Sequence, residues 1–542
     1  MTTGMGKVSL VGAGPGDPGL LTLKAQKRIQ EADLIIYDYL ANPEHLRHAK
    51  EAAVKICVGK GFRHRHYSQE KIRRLIIRAV RKGQHVVRLK GGDPYLFGRG
   101  GEEALFLYEH KIPFEVVPGV TSATACAAYA GIPLTHREHN ASVSFITGHR
   151  AHDSHLDTVP WEKLVALKGT LVIYMGFYNL AKIAERLITH GMPARTRTCV
   201  IEWGTLPRQK SCDGTLSDIA KKVTEMKMKA PCIIIIGDVV RLRKKLNWYE
   251  TLPLFGKKIV ITRTREKGEA LMDKLEELGA QVLEFPVIEI KEPSDISSMD
   301  KAIKKLNEFD WLIFTSTYGV DFFFNRLACV HKKDARALNG IKVACVGPGT
   351  EQALNKRGVF SDLIPKHFET EAISREFRKR FGNLNGKNVL LLRTNIAPPE
   401  LDLNLKKLGA HVTRVTAYQT HLPKSISTPV KKKLLNGEAH CVTFTSSSTV
   451  TNFVKILGLK NVKKIAKSTK FASIGPVTSK TMREFGLKPS MQAKVYTIEG
   501  LVEAIKNYDG CGLYRMNSTI RLGAWKRVFG SVAVKQKLMG CI

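Results

Sequence analysis

The stretch VSLVGAGPGDPGLLT, from Val8 to Thr22, runs an apolar strand into a glycine-rich turn, the way a nucleotide-binding loop begins. A dinucleotide fingerprint wants glycine at its first, third and sixth positions, so that a pyrophosphate can rest on a helix N-terminus. Gly12 and Gly14 meet the first two, but the sixth position is Asp17, with Pro15 and Pro18 around it. A carboxylate there repels a pyrophosphate, and no lysine follows in P-loop register. The loop therefore suits a ligand without phosphate, approached by backbone; a tight connection with no ligand is the alternative.

A second loop repeats the idea. In GGDP, Gly91 and Gly92 allow close approach and Asp93 offers a negative charge. A cationic, phosphate-free ligand such as S-adenosylmethionine satisfies both loops, because its ammonium and sulfonium charges favour carboxylates and carbonyl dipoles over lysines.

The elements that must carry these loops follow from an alternation of short apolar runs with helical stretches. VSLVGAG, DLIIYDYL, HVVRLKGG, FEVVPG, VSFITGH, TLVIYMG, TCVIEWG and CIIIIGDVV read as strands, which predicts an α/β fold with largely parallel sheets. The alternation stops at Arg241–Lys258, a charged and then proline-containing linker, and resumes at KIVITR. The second half repeats itself: GKKIVITR from Gly256 answers GKNVLLLR from Gly386, and FTST at Phe314 answers FTSS at Phe444, each at an offset of 130. VGPGT at Val346 answers IGPVT at Ile474. A period this long implies two similar α/β lobes with a ligand cleft between them.

With 542 residues, 43% of them hydrophobic, the chain has material for several cores. No apolar run approaches the roughly 20 residues that span a bilayer, and MTTGMGK leads straight into a strand, so no membrane and a cytoplasmic location are expected. The ten cysteines are scattered without metal-ligand spacing, which predicts reduced thiols and no metal. A net charge of +37 suits either nucleic acid or a polyanionic small substrate. No nucleic-acid motif and no aromatic–basic interleaving accompany it, so no nucleic acid is expected.

GAGPGDPGLLT, VVRLKGGDPYLFGRGGEE, PGVTSA, GIPLTHR and YMG together resemble the uroporphyrinogen-III C-methyltransferases, within the tetrapyrrole methylases, over about Lys7 to Trp248. The resemblance implies a two-lobed α/β domain over residues 1–250 that moves methyl groups from S-adenosylmethionine to two carbons of uroporphyrinogen III, giving precorrin-2. It assigns the cofactor pocket to Pro15, Gly91, Gly92, Asp93, Leu96, Thr121, Ser122, Met175 and Gly204, with Leu96 and Ser122 as mild departures from isoleucine and alanine. Asp38 corresponds to the proton acceptor and Lys60 to the proton donor. The substrate carries many carboxylates, so Arg88, Arg99 and Arg137 in the matched motifs are candidates to bind it. The alternative for them is a structural ion pair, such as Arg99 with Glu102 or Glu103. Members of this family are typically dimers, so a homodimer through this half is expected.

The FTS repeats, AYQT and IGPVT resemble uroporphyrinogen-III synthase over about Gly256 to Tyr508. That resemblance implies a two-lobed α/β domain over residues 256–508, one lobe from 256–290 plus 420–508 and the other from 291–419, which cyclises hydroxymethylbilane. It points to Tyr418 as catalytic and Thr478 as a cleft residue holding a substrate carboxylate; Ser316, Ser446 and Ser447 offer further hydroxyls. No nucleophile stands out, so catalysis there is expected to rest on positioning. A non-catalytic, ligand-binding second half is the alternative. Residues 509–542 match nothing recognisable.

Overall fold

A computed structural model describes residues 5–59, 67–148, 159–365, 370–423 and 425–508. Lys60 and the stretch 509–542 lie outside these described residues. The chain divides into two compact units: one built on the sequence before Val260 together with Leu271–Val282, the other on Val260–Ala270 and Leu283–Ala504.

In the first unit, β1 (Val8–Gly12), β2 (Leu34–Tyr37), β3 (Val54–Cys57), β4 (Val86–Lys90) and β5 (Phe114–Val117) form a sheet in the order β3-β2-β4-β1-β5. Every pairing is parallel. β1 is buried along its length, which is why it reads as a nearly unbroken apolar run. β4 is buried throughout as well, yet carries Arg88 and Lys90, charges that burial obliges the fold to pair. Parallel strands end at one edge, so the loops after β1, β2, β4 and β5 gather there.

A second sheet joins β6 (Val143–Thr147), β7 (Thr170–Tyr174), β8 (Arg197–Glu202), β9 (Lys210–Thr215) and β10 (Cys232–Ile236) in the order β6-β7-β10-β8-β9. Here the expectation of largely parallel sheets is corrected. Only β6 and β7 pair in parallel; β10 is antiparallel to β7 and β8, and β8 to β9. The physical reason is the connection 203–209, too short for a crossover helix, which turns β8 straight back into β9. The register pairs Ile233 with Tyr174 and Cys232 with Glu202, so β10 begins beside the ends of β7 and β8. Residues after β7, after β8 and before β10 therefore meet at one edge.

The second half holds two more sheets. β11 (Lys258–Ile261), β12 (Gln281–Glu284), β18 (Cys441–Phe444), β19 (Lys470–Ser473) and β20 (Met491–Gln492) take the order β12-β11-β18-β19-β20. β13 (Glu289–Lys291), β14 (Trp311–Phe314), β15 (Lys342–Cys345), β16 (Asn388–Thr394) and β17 (His411–His421) take the order β13-β17-β16-β14-β15. The end of β17 pairs antiparallel with β13, Ile290 against Thr420, where the chain passes between the sheets.

The internal repeat is a repeat of packing. Phe314 meets Phe323 edge-on at 5.6 Å, and their counterparts 130 residues on, Phe444 and Phe453, do so at 5.3 Å. All four are fully buried. Ser316 and Ser446 both cap a helix with extended backbone, at φ −161° and −166°. Among the described residues no helix is long and apolar enough to cross a membrane.

Candidate active sites

All nine residues expected to form the cofactor pocket line one cavity of about 200 Å³ in the first unit. Pro15 comes from the loop after β1, Gly91, Gly92, Asp93 and Leu96 from the loop after β4, and Thr121 and Ser122 from the start of the helix Ser122–Tyr129. Met175 and Gly204 follow β7 and β8. Among the described lining residues none is basic, and Asp93 is the one charged side chain.

The loops are pinned backbone to backbone. Gly92 donates its amide to the Gly14 carbonyl at 2.7 Å, and Gly14 donates back at 3.2 Å. Gly92 adopts φ +69°, a conformation that side chains disfavour. Asp93 does more than present a charge: its carboxylate accepts from the amides of Tyr95 (2.8 Å), Leu96 (3.1 Å) and Gly119 (3.1 Å), tying the β4 loop to the β5 loop. Across the cavity the Tyr174 hydroxyl bonds Thr121 Oγ1 at 2.5 Å and accepts from the Ala123 amide at 3.1 Å. Gly204 is confined sterically, since a Cβ there would stand 2.3 Å from Cys126 Sγ.

Backbone strain gathers here. Of nine described non-glycine residues with positive φ, Phe97, Met175 and Trp203 line the cavity, and Arg99 and Thr205 adjoin lining residues. Strain of this kind persists where a functional geometry is over-determined by its surroundings. Phe97, Tyr174 and Trp203 also line the cavity, and the sequence does not single them out, because a lone aromatic in a loop or at a strand end carries no pattern of its own.

Beside the cavity, two residues before its lining residue Leu40, Asp38 leaves β2. Arg88 donates to it through Nη2 at 2.5 Å and through Nε to Glu103 at 3.1 Å. Lys90 donates to the other Glu103 oxygen at 3.0 Å. Arg88 and Lys90 lie two apart on β4 and share a face, and Glu103 reaches them from the helix Gly100–Glu109. Burial opposes the charge on Arg88, but Asp38 and Glu103 outweigh it and hold the guanidinium above its ordinary value. Burial, then the neighbouring Arg88, pushes the Lys90 ammonium below its own.

The expected substrate arginines are thus placed differently from one another. Arg88 is corrected: at 2% exposure, with its donors spent on Asp38, Glu103 and two backbone carbonyls, it supports the site and presents nothing to a substrate. Arg99 is exposed and pairs with Glu102 at 2.6 Å, the alternative entertained for it. Arg137 is exposed in the turn bridged by His136 and Asn140. Glu103 and Lys90 stand inside the quoted motifs, yet their burial was not readable there.

In the second unit a cleft of about 430 Å³ opens where β11, β14, β16 and β18 end. Tyr418, Ser316 and Ser446 line it, as do Thr315 and Thr445, the paired residues of the two FTS motifs. Tyr418 packs against Tyr318 (5.5 Å) and Phe322 (6.2 Å). Burial pushes its hydroxyl above the ordinary tyrosine value, with Ser316 opposing, so it is a donor at neutral pH. Thr478 is 4% exposed within the helix Pro476–Glu484 and is not among the residues lining the cleft, while its counterpart in the repeat, Thr350, lines it. The valine and serine that follow Pro476 and Thr478 do not reveal that burial in sequence.

The chain matches two protein families in order: tetrapyrrole (corrin/porphyrin) methylases over residues 7–220 and uroporphyrinogen-III synthase HemD over residues 269–503. It is similar to the porphyrin biosynthesis protein HemD of Ruminiclostridium josui, 36% identical over 509 residues, covering 94% of this chain and 99% of that protein. It is similar to the uroporphyrinogen-III C-methyltransferase of Bacillus subtilis, 42% identical over 372 residues, 68% of this chain and 75% of that one. A siroheme synthase of Azotobacter vinelandii is 50% identical over 246 residues, 45% of this chain and 53% of that protein, so the chain spans about half its length. Matched by both families and along almost the whole of one relative, the chain belongs to the porphyrin-biosynthesis HemD proteins and joins a tetrapyrrole methylase to a uroporphyrinogen-III synthase.

Proposed function

We propose that the second half closes hydroxymethylbilane to uroporphyrinogen III and that the first half methylates that product twice, from S-adenosylmethionine, to precorrin-2. The observation that carries the methyl-transfer reading is the character of the first cavity. In a chain with 86 lysines and arginines, its described lining holds no basic side chain and a single carboxylate. A cation without phosphates fits such a lining and a nucleotide phosphate does not. Pro15, Gly91, Gly92, Asp93, Leu96, Thr121, Ser122, Met175 and Gly204 would hold the methyl donor, whose sulfonium supplies an electrophilic methyl group.

Little covalent help is then needed from the protein, because a reduced pyrrole carbon is electron-rich and the work is orientation. We assign Asp38 the role of taking the proton released as the substituted ring regains its tautomer; Arg88 holds that carboxylate in place. Lys60 is proposed as the donor, by resemblance. Arg99 and Arg137, both exposed, are proposed to meet substrate carboxylates. The attack requires no metal. In the second half Tyr418 is proposed to hydrogen-bond the departing hydroxyl of the bilane, with catalysis otherwise resting on holding the chain folded.

The partners in this reading are small tetrapyrroles, with a homodimer through the first half; the +37 charge serves polycarboxylates, not nucleic acid or membrane. The eight described cysteines are free thiols, in keeping with a cytoplasmic enzyme. Similarity to a siroheme synthase favours sirohaem as a destination. One incubation tests both halves. Hydroxymethylbilane alone should yield isomer III of uroporphyrinogen, and addition of S-adenosylmethionine should yield the dimethylated chromophore. Isomer I alone would remove the synthase reading, and unmethylated isomer III in the presence of the donor would remove the methylase reading.

A further inference from the structure

Arg263 follows β11 and lines the cleft of the second unit. Among the described lining residues it is the one charged side chain, and none is acidic. It is partly buried, and no hydrogen bond or ion pair to a described residue satisfies it. Burial accordingly pushes its guanidinium below the ordinary arginine value, with Tyr318 opposing.

The internal repeat supplies the comparison. Position 130 on from Arg263 is Arg393, again an arginine and again at a strand end. Arg393 is 3% exposed and its charge is paired: Nη1 donates to the Pro398 carbonyl at 2.6 Å and pairs with Asp402 at 3.2 Å. Counting back 130 from Asp402 gives Met272, so the first copy carries no carboxylate at the matching place. One arginine of the pair is closed on a partner within its own copy, and the other is left open toward a cavity walled by hydroxyls such as Thr264, Ser316, Thr317 and Ser446. A half-buried guanidinium with no partner disfavours the fold unless an occupant satisfies it. Its fork geometry selects a planar anion, bound through two parallel hydrogen bonds.

We propose that Arg263 is the carboxylate anchor of the synthase cleft, binding one acetate or propionate side chain of the linear tetrapyrrole while the hydroxyl walls hold its neighbours. This rests on the reading of the second half as a synthase. Arg263 acts in binding and takes no part in bond breaking, so its loss should appear in KM more than in kcat.

The experiment uses the full chain, with Arg263→Met and Arg263→Lys compared with wild type in steady-state conversion of hydroxymethylbilane to isomer III. Arg263→Met should raise KM about 10- to 100-fold, as the loss of a charge-assisted pair implies, with kcat changed less than about threefold. Arg263→Lys should recover part of the affinity, since charge survives but the fork does not. Methylation of supplied uroporphyrinogen III should match wild type in both, and the thermal transition of the unliganded chain should be no lower than wild type, since an unpartnered guanidinium adds nothing to the fold. A wild-type chain that forms no isomer III overturns the synthase reading itself. An active wild type with unchanged KM in a folded Arg263→Met chain overturns the anchor alone, as does a lysine variant no better than methionine. Should Arg263→Met not fold, Arg263→Lys decides: an unchanged KM there overturns the anchor.

Discussion

Arg88 donates to Asp38 at 2.5 Å from a strand position where its own side chain is 2% exposed. An arginine that the motif offers as a substrate contact instead aims the carboxylate proposed to take the proton. Glu103 accepts from the far side of the same guanidinium at 3.1 Å and from Lys90 at 3.0 Å, so four charges balance in one cluster, three of them buried and Asp38 partly exposed.

Removing one member of that cluster leaves the others uncompensated. Glu103→Gln should lower the stability of the chain by about 3–5 kcal/mol, the cost typical of breaking a buried pair. Urea unfolding of the full chain measures it, and a loss under about 1 kcal/mol would show that the charges are not coupled. Arg88→Lys should lower the methylation rate at least tenfold with little change in affinity for S-adenosylmethionine, because lysine cannot span Asp38 and Glu103 together.

Asp93 combines a charge in the cavity with three backbone amides to hold. Asp93→Ala should weaken binding of S-adenosylmethionine by about tenfold or more, since both the charge and the loop geometry are lost. Isomer formation by the second half should be intact. Calorimetric titration of a folded variant showing wild-type affinity would remove Asp93 from the site.

His45 is fully buried, and burial pushes its imidazole down to about 4. In the unfolded chain the same ring titrates near 6.5. The unfolded state therefore binds more protons between these values, and the stability present above pH 6.5 is lost progressively as pH falls toward 4. At about 1.4 kcal/mol per pH unit the loss amounts to roughly 2–4 kcal/mol. His45→Leu should flatten the profile over this window in unfolding experiments from pH 7 to pH 4; a slope equal to wild type would place the proton uptake elsewhere.

Tyr418→Phe keeps the ring that packs against Tyr318 and Phe322 and removes only the hydroxyl. A net hydrogen bond of about 0.5–1.5 kcal/mol corresponds to roughly threefold to tenfold in rate. Isomer III should form that much more slowly, with a raised share of isomer I, and methylation of supplied uroporphyrinogen III should not change. Wild-type rate and isomer ratio would return Tyr418 to a packing role.

The α/β class and the two families were legible in the chain alone, and nine residues named from its motifs are brought by the fold to the wall of one cavity. Those rest on short apolar strands and on glycine loops whose spacing is local in the chain. Edge strands escaped it: β3 (VKIC) exposes Val54 and Lys55, and β9 (KSCDGT) is largely polar, so neither carries an apolar run. The direction of β10 escaped it too, because antiparallel pairing is set by which ends meet in space. The fate of the charges was settled by folding. Arg88 and Arg99 stand in one motif, yet one is buried against Asp38 and Glu103 while the other is exposed beside Glu102. Arg263 and Arg393 occupy equivalent places in a repeat, yet one faces a cleft and the other Asp402. A residue type declares what an arginine is able to bind; whether it is free to bind depends on the burial and the partners that the fold brings from far along the chain.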